Sequence, residues 1–392
     1  MEQLEILLGI TALVLLVPAS VLFIQVLMSL LPEGAAMAGQ SVRPRLAILI
    51  PAHNESLMIA DTLATILPQL VAGDGLLVVA DNCSDDTADI ARASGAEVIE
   101  RSNLEHRGKG YALDFGVRHL ENDPPEVAIV IDADCRVGAG AIDRMARQCG
   151  ETGRPIQALY LMTAPAGGGL KLRIAEFAWR VRNWVRPLGS AKIGWPCQLM
   201  GTGMAFPWPM AARMPLANAN IVEDMKLGIE LALAGTPPLF CPEARVCSEF
   251  PVAAAAVKSQ RTRWEHGHLN MILRETPHLL GRALLRIDVR ALGLALDLLV
   301  PPLALLVLLQ SGMLALAGLA TVFGAGFMPL LLAAFGMALT SAAVLLAWLR
   351  WGQQVVSPGD LLSVPFYVLA KIPLYFRFWT RRQKEWVKTE RN

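Results

Sequence analysis

The sequence predicts an α/β domain built on a mostly parallel sheet and held to a membrane by a few apolar helices. Three observations carry this. Short apolar runs alternate with helix-like stretches between residues 45 and 132. Polar residues collect at the ends of those runs. Two long blocks, residues 6–31 and 298–349, contain no charged residue at all. The whole chain of 392 residues is 54% hydrophobic but only 18% charged, with a mean hydropathy of +0.43. A soluble protein would carry about a quarter charged residues, so part of this chain faces something other than water. Lys and Arg (35) balance Asp and Glu (34) at a net charge of +1, which argues against a nucleic-acid binder, since that needs a basic excess.

The first apolar block suits one membrane helix and the second suits two, because a span takes about 20 apolar residues. Gly324, Gly326 and Pro329 mark the turn between the latter two. Glu2 and Glu5 precede the first span, and Arg43 and Arg45 follow it. Basic residues favour the cytoplasmic side, so the middle domain is expected in the cytoplasm, on the inner (plasma) membrane. A tail with Lys371, Arg377, Arg381, Arg382, Lys384, Lys388 and Arg391 agrees with that orientation. The competing reading, a signal peptide cut near Ala36-Met37-Ala38, conflicts with the acidic start and the length of the apolar block. Residues 361–378 are apolar but interrupted by Pro365, Lys371 and Pro373 and rich in aromatics. That mixture predicts an interfacial or re-entrant helix rather than a further span. The expected organisation is an anchor over 1–40, a catalytic domain over 41–290, two spans over 291–350, and an interfacial helix with a basic tail over 351–392. The six cysteines show no metal-binding spacing and read as unpaired thiols of a reducing compartment.

Within the middle domain, apolar runs at 45–51, 76–81, 96–99 and 127–132 read as buried strands. Residues 55–70, 85–94 and 110–120 read as the helices between them. Alternation of this kind gives a parallel sheet covered on both faces, with ligands bound beyond the carboxyl ends of its strands. His53, Asn54, Glu55, Asp81, Asn82, Asp132 and Asp134 all fall at those ends. Neither a dinucleotide glycine fingerprint nor a phosphate-loop motif follows the first strand, which excludes those nucleotide enzymes.

The motifs that could carry chemistry differ in specificity. Asp132-Ala-Asp134 sets two carboxylates around a small residue after an apolar strand, where they could share a hard divalent cation with a diphosphate; a plain polar loop is the bland alternative. Arg107-Gly-Lys109 opens a helix and could favour an anion, or be a solvated turn. Glu223-Asp224 also opens a helix, where acids are ordinary dipole partners, yet Asp224 could serve as a general base aimed into the crevice. Gln198 to Met204, with Gly201 and Gly203, suits close approach of a ligand to backbone. The motif at 260–264 is the most specific. Arg261 and Arg263 offer planar phosphate donors, and Trp264 offers a flat face for a sugar ring, unless the group is an interfacial anchor. Asp297 is a lone acid at the edge of the second block, either buried for function or snorkelling to the interface.

The order of these motifs resembles a membrane-bound, family 2 inverting glycosyltransferase with a GT-A fold, the group that includes cellulose, hyaluronan and chitin synthases. The matching residues are Ile50 to Glu55, Asp81, Gly108 to Leu113, Asp132-Ala-Asp134, Glu223-Asp224, and Gln260, Arg263 and Trp264. The resemblance implies a nucleotide-sugar donor, a UDP-sugar first, and Mg2+ or Mn2+ as cofactor. It implies that Glu55 and Asp81 hold the uridine and that Lys109 lies near the nucleotide. Asp132 would contact nucleotide or sugar, and Asp134 would ligate the metal. Asp224 would be the base, while Gln260, Arg263 and Trp264 would cradle diphosphate and acceptor. A polysaccharide or lipid-linked acceptor follows, in bacterial exopolysaccharide or glycolipid assembly. Only about three spans are expected, too few for an obvious polymer channel, so single-sugar transfer to a lipid, as in ceramide-glucosyltransferase-like enzymes, is a rival to processive synthesis. A non-catalytic nucleotide-sugar-binding scaffold is disfavoured because no motif residue is missing. A transporter is disfavoured because it needs many spans.

Overall fold

A computed structural model describes residues 1–32, 42–217, 223–251 and 253–380. The cleavage-like Ala36 to Ala38, Asn218 and Asn220, and the basic tail from Arg381 onward lie outside the described residues, and so do the expectations placed there. Helix α1 (Glu2–Ser29) is 28 residues long. At about 1.5 Å per residue it exceeds the roughly 30 Å hydrocarbon thickness of a bilayer.

Strands β1 (Leu46–Ala52), β2 (Gly75–Asp81), β3 (Glu97–Arg101) and β4 (Val127–Val130) are joined by helices α2 (Ile59–Ile66), α3 (Thr87–Ala93) and α4 (Lys109–Leu120). These four strands are all parallel, in the order β3-β2-β1-β4. The crevice therefore opens where β1 and β4 diverge in their connections, the usual ligand position of such sheets. Buried β-branched and leucine side chains on both faces of β1 and β2 explain the parallel packing. Ile48, Ile50, Ile59 and Leu63 fill the layer beneath α2, while Leu49, Val79, Leu113 and Val117 fill the layer beneath α4. Helix α4 comes so close to β1 and β2 that a Cβ on Gly116 would strike Leu49 and Val79.

The rest of the sheet is mixed. Strands β5 (Arg136–Val137), β6 (Ile156–Thr163), β7 (Met204–Pro207) and β8 (Leu239–Glu249) complete the order β3-β2-β1-β4-β7-β6-β8-β5. Strand β7 runs antiparallel to β4 and β6, and β5 antiparallel to β8. The chain enters β7 from a loop already lying at the carboxyl ends of the parallel strands, so it can only run back. Helix α5 (Ala141–Thr152), bounded by left-handed Gly140 and Gly153, covers β6 to β8. One boundary differs from the sequence reading. The first helix starts at Ile59 rather than at residue 55, because Asn54 adopts φ +54° and the Glu55 amide donates to Thr87 Oγ1 at 2.8 Å, which ties this stretch to the neighbouring loop.

Helix α6 (Leu170–Arg180), a π-helical turn (Val181–Val185) and α7 (Arg186–Lys192) form one bent amphipathic rod. It packs Phe177, Val181 and Val185 against Val21, Leu22 and Val26 of α1. Then follow α8 (Trp208–Ala211), α9 (Glu223–Leu233), the 33-residue α10 (Ala254–Arg286) and α11 (Val289–Leu299), the last capped by Asp288 on the amides of Arg290 and Ala291. Helices α12 (Leu303–Val322) and α13 (Met328–Ala347) fall where the second apolar block lies, turned at Gly324 with φ +95°. Among the described residues, three helices are long and apolar enough to cross a membrane: α1, α12, and α13 continued to Gly352. The segment expected as a single interfacial helix is instead three short pieces, α14 (Pro358–Leu361), α15 (Val364–Leu369) and α16 (Ile372–Thr380). Pro365 and Pro373 each stand second in their helix, where a missing amide proton costs nothing but cannot continue a preceding turn.

Candidate active site

A crevice of about 1730 Å³ lies over the carboxyl ends of the parallel strands, and nine of the site residues inferred from the sequence border it: Glu55, Asp81, Lys109, Asp132, Asp134, Asp224, Gln260, Arg263 and Trp264. At the outer end, the tips of β1 and β2 are cross-tied. His53 Nδ1 is 2.7 Å from the Asp81 carbonyl oxygen, and the Asn54 side chain exchanges hydrogen bonds with Ser84. Asp81 is buried and accepts from Arg101 Nη1 at 2.6 Å and from Asn82 Nδ2 at 3.0 Å. Arg101, at the end of β3, carries no motif signal, and only the parallel register of β2 and β3 brings it to Asp81. A carboxylate held this way is fixed in place with its remaining lone pairs available as acceptors.

In the centre, Lys109 at the start of α4 donates to Asp132 and to the Gly201 carbonyl oxygen, the latter at 2.7 Å. The Asp132 amide is held by Thr202 Oγ1 at 2.9 Å. Asp134 accepts from Ser248 Oγ at 3.3 Å and from the Cys135 thiol. The Gly201–Gly203 loop is built on left-handed glycines, with φ +89° and +64°. A Cβ on Gly201 would come within 3.3 Å of Asp224 Oδ2 and 3.7 Å of Lys109 Nζ. The bare backbone therefore lets the base candidate, the lysine and the Asp132 carboxylate crowd together. Asp224, in the first turn of α9, is pushed above its ordinary proton affinity by burial, against the opposing pull of the Met225 amide, Lys109 and Arg182. A smaller cavity of about 290 Å³, lined mainly by apolar side chains such as Leu113, Met204 and Phe206, reaches Lys109, Gly201 and Asp224 from behind. That apolar backing accounts for the desolvation.

The remaining wall comes from α6, α7 and α10. Trp264 leans on Trp179 at a ring-centroid distance of 4.8 Å, and Trp179 is pinned by a bond from Nε1 to the Tyr160 carbonyl oxygen at 3.2 Å. Arg182 lies over Trp179 and reaches Met225 Sδ, yet it forms no salt bridge among the described residues. Trp179, Arg182 and Thr202 were not singled out by motif reasoning, because nothing local distinguishes them from packing residues. Gln260, Arg263 and Trp264 share the crevice-facing side of α10, while Arg261 points the other way, over Tyr367. The sequence reading that paired Arg261 with Arg263 as phosphate donors is corrected here: a helix turns about 100° per residue, so residues two apart do not share a face.

At its membrane end the crevice meets Asp297. This acid does not snorkel. It is buried, accepting from Arg186 Nη2 at 2.8 Å, Gln25 Nε2 of α1 at 2.7 Å and Gln198 Nε2 at 3.2 Å. Arg186 Nε in turn donates to Gln25 Oε1 at 2.9 Å. Helix α1, the amphipathic rod, α11 and the segment leading into the glycine loop are thereby joined at one carboxylate.

Among the described residues no group of three or more His, Cys, Asp or Glu converges on a common point. The donor set at Asp132 and Asp134 consists of hard carboxylate oxygens, which suit Mg2+ or Mn2+ completed by diphosphate oxygens rather than a protein-enclosed zinc site.

Comparison with known proteins places this geometry. Residues 44–267, more than half of the chain, match the family described as glycosyltransferase like family 2. A probable glycosyltransferase of Bacillus subtilis (strain 168), YdaM, is 27% identical over 257 residues, 59% of this chain and 57% of that protein. The match thus spans little more than half the length of that relative. An uncharacterized glycosyltransferase of Mycobacterium tuberculosis (strain ATCC 25618 / H37Rv) is 31% identical over 201 residues, 50% of this chain and 78% of its own. Among solved structures, the mannosyltransferase PcManGT from Pyrobaculum calidifontis, in complex with GDP-Man and Mn2+, superposes with a TM-score of 0.56 at 16% identity, over 88% of this chain and 98% of that one. That likeness speaks for the fold alone. The chain belongs to glycosyltransferase family 2 and carries the GT-A-like α/β fold together with helices able to cross a membrane.

Proposed function

We propose that this protein is an inverting transferase that moves a sugar from a nucleotide-diphosphate donor, a UDP-sugar first, to a polysaccharide or lipid-linked acceptor at a membrane surface. The observation that carries the reading is the crowding of Asp224, Lys109 and Asp132 around the Gly201 backbone, inside a crevice that runs from the strand tips to the spanning helices. Glu55 and Asp81 bind the nucleoside end by accepting hydrogen bonds. Lys109 and Arg263 stabilise the charge that builds on the departing diphosphate. Asp224, its proton affinity raised by burial, takes the proton of the acceptor hydroxyl as it attacks the anomeric carbon. Trp264, propped by Trp179, offers a flat apolar face to the acceptor sugar. Asp134, with Asp132 beside it, would hold Mg2+ or Mn2+, which supplies Lewis-acid stabilisation of the diphosphate.

The synthase-like motif order favours an exopolysaccharide product. The small number of apolar helices, three among the described residues, favours transfer of one sugar to a membrane lipid, with the catalytic domain cytoplasmic. The test uses membranes supplied with a panel of nucleotide sugars, following nucleotide release and then sizing the product. A ladder of products supports polymerisation, and one discrete lipid product supports single transfer. Asp224→Asn is expected to abolish release while nucleotide binding persists; normal turnover by that variant would remove Asp224 as the base. Excess EDTA is expected to stop transfer and added Mn2+ to restore it, whereas full activity under chelation would refute the metal role of Asp134.

A further inference from the structure

The back of α10 carries a cluster that the transfer reaction does not use. Arg261 lies one residue from Gln260 but faces away from the crevice, its guanidinium 5.8 Å from the centre of the Tyr367 ring. Lys371 approaches the same ring, at 5.2 Å, and pairs with the buried Glu265. Two cations thus converge on one aromatic face and only one carboxylate answers them, which leaves a net positive charge. The Tyr375 hydroxyl faces the Glu265 carboxylate, and Nη2 of Arg261 is buried and, like the Tyr375 hydroxyl and Glu265 Oε2, without a hydrogen-bond partner among the described residues. A shut-in guanidinium N–H is costly unless an acceptor arrives from outside the chain.

The surroundings say what kind of acceptor fits. Helices α15 and α16, which close over the cluster, expose large apolar side chains: Phe366 is 75% exposed, Phe376 69% and Leu369 54%. Exposed aromatic and aliphatic groups beside half-buried cations are what an element lying in the headgroup layer presents. The position suits a chain with helices able to span the bilayer. A soluble anion would find the charge but have no use for the apolar fringe, and a neutral lipid would use the fringe but leave the charge unanswered.

We propose that Arg261 and Lys371, between α10 and the C-terminal helices α15 and α16, form a binding site for the headgroup phosphate of an anionic phospholipid. The phosphate oxygens accept from Arg261 and Lys371, and the acyl chains run along Phe366, Leu369 and Phe376. Because Arg261 shares its helix with Arg263 and Trp264, an occupied site would also steady the acceptor wall of the crevice from behind.

The test is lipid retention by the full chain in a neutral detergent, offered phosphatidylglycerol and phosphatidylcholine of the same acyl composition and followed by native mass spectrometry. The intact protein should keep phosphatidylglycerol in preference. Arg261→Gln should lower that retention about tenfold, the loss expected for one charge-assisted phosphate contact. Lys371→Gln should lower it in the same direction, while Lys171→Gln, an exposed cation on α6, should leave it unchanged. Inorganic phosphate should not displace the lipid. Equal retention of both lipids, an Arg261→Gln protein that binds like the parent, or occupancy by inorganic phosphate in place of lipid would each overturn the proposal. Thermal melting followed by circular dichroism reports whether each variant is folded, and if Arg261→Gln is not, Lys371→Gln decides the question. No readout depends on sugar transfer, so failure here is separate from failure of the proposed reaction.

Discussion

Two aspartates border the crevice, the half-buried Asp224 at its centre and the buried Asp297 at one end, and the protein treats them in opposite ways. At the end beside α1 and α11, Asp297 is held by Gln25, Arg186 and Gln198, at 2.7, 2.8 and 3.2 Å. At the centre, Asp224 forms no ion pair among the described residues, and burial holds its proton affinity up against the pull of the Met225 amide, Lys109 and Arg182. The contrast separates two uses of a buried acid. A carboxylate that accepts from an arginine and two amides at once is a fastener, because protonating it or removing it strands its partners. A carboxylate kept near cations but short of contact retains its appetite for a proton, which is what a base needs.

Substitutions at the two positions should therefore fail differently. Asp224→Asn should lower kcat by about two to four orders of magnitude, the usual contribution of general acid–base catalysis, with little change in melting temperature. Asp297→Ala should instead cost about 3–5 kcal/mol of stability, because it leaves Arg186 buried and unpaired. A denaturant titration in detergent reads this directly. A stable Asp297→Ala protein, or an unstable Asp224→Asn one, would break the comparison. The joint also depends on close backbone approach: a Cβ on Gly189 of α7 would overlap the Gln25 carbonyl of α1. Gly189→Ala should cost about 1–3 kcal/mol as an overpacking defect, measured as a lowered melting temperature.

The smallest of these effects lies in the pH profile. Asp224 must be deprotonated to act, and its proton affinity is raised. The acid limb of kcat/KM should therefore fall above the ordinary aspartate value of about 3.9. Removing the positive charge in Lys109→Met should move that limb further up, since Lys109 now stabilises the ionised form. A limb that moves down, measured by nucleotide release across pH, would mean another group titrates.

Local pattern reveals most where contacts are local. Strands β1, β2 and β4 were legible because each is a run of buried aliphatic residues ended by a polar tip, and the helices between them because loops follow at short spacing. The antiparallel return of β7 was not legible: Met204 to Pro207 is too short to show a period and owes its direction to where the preceding loop emerges. The same holds within the site. Asp132, Asp134, Asp224 and the residues around Trp264 stand out because carboxylates and Arg-Trp pairs in series are uncommon. Arg101 and Trp179 do not stand out, since they matter only through partners on other elements. Arg261 was misjudged beside Arg263 because one-dimensional adjacency hides which face of a helix a residue occupies.

By itself, then, the sequence determined the alternation of strands and helices, the charge-free helices able to span a membrane, and the set of polar residues gathered at the strand ends. Composition and period carry these, because burial of apolar surface acts residue by residue. Only the tertiary structure decided that the first apolar helix is wired into the crevice through Gln25, that Asp297 is fastened while Asp224 is held short of partners, and that Arg261 serves the opposite side of α10 from Arg263. Those outcomes depend on hydrogen bonds and charges between residues far apart in the chain, whose strength is set by distance and burial that no linear pattern contains.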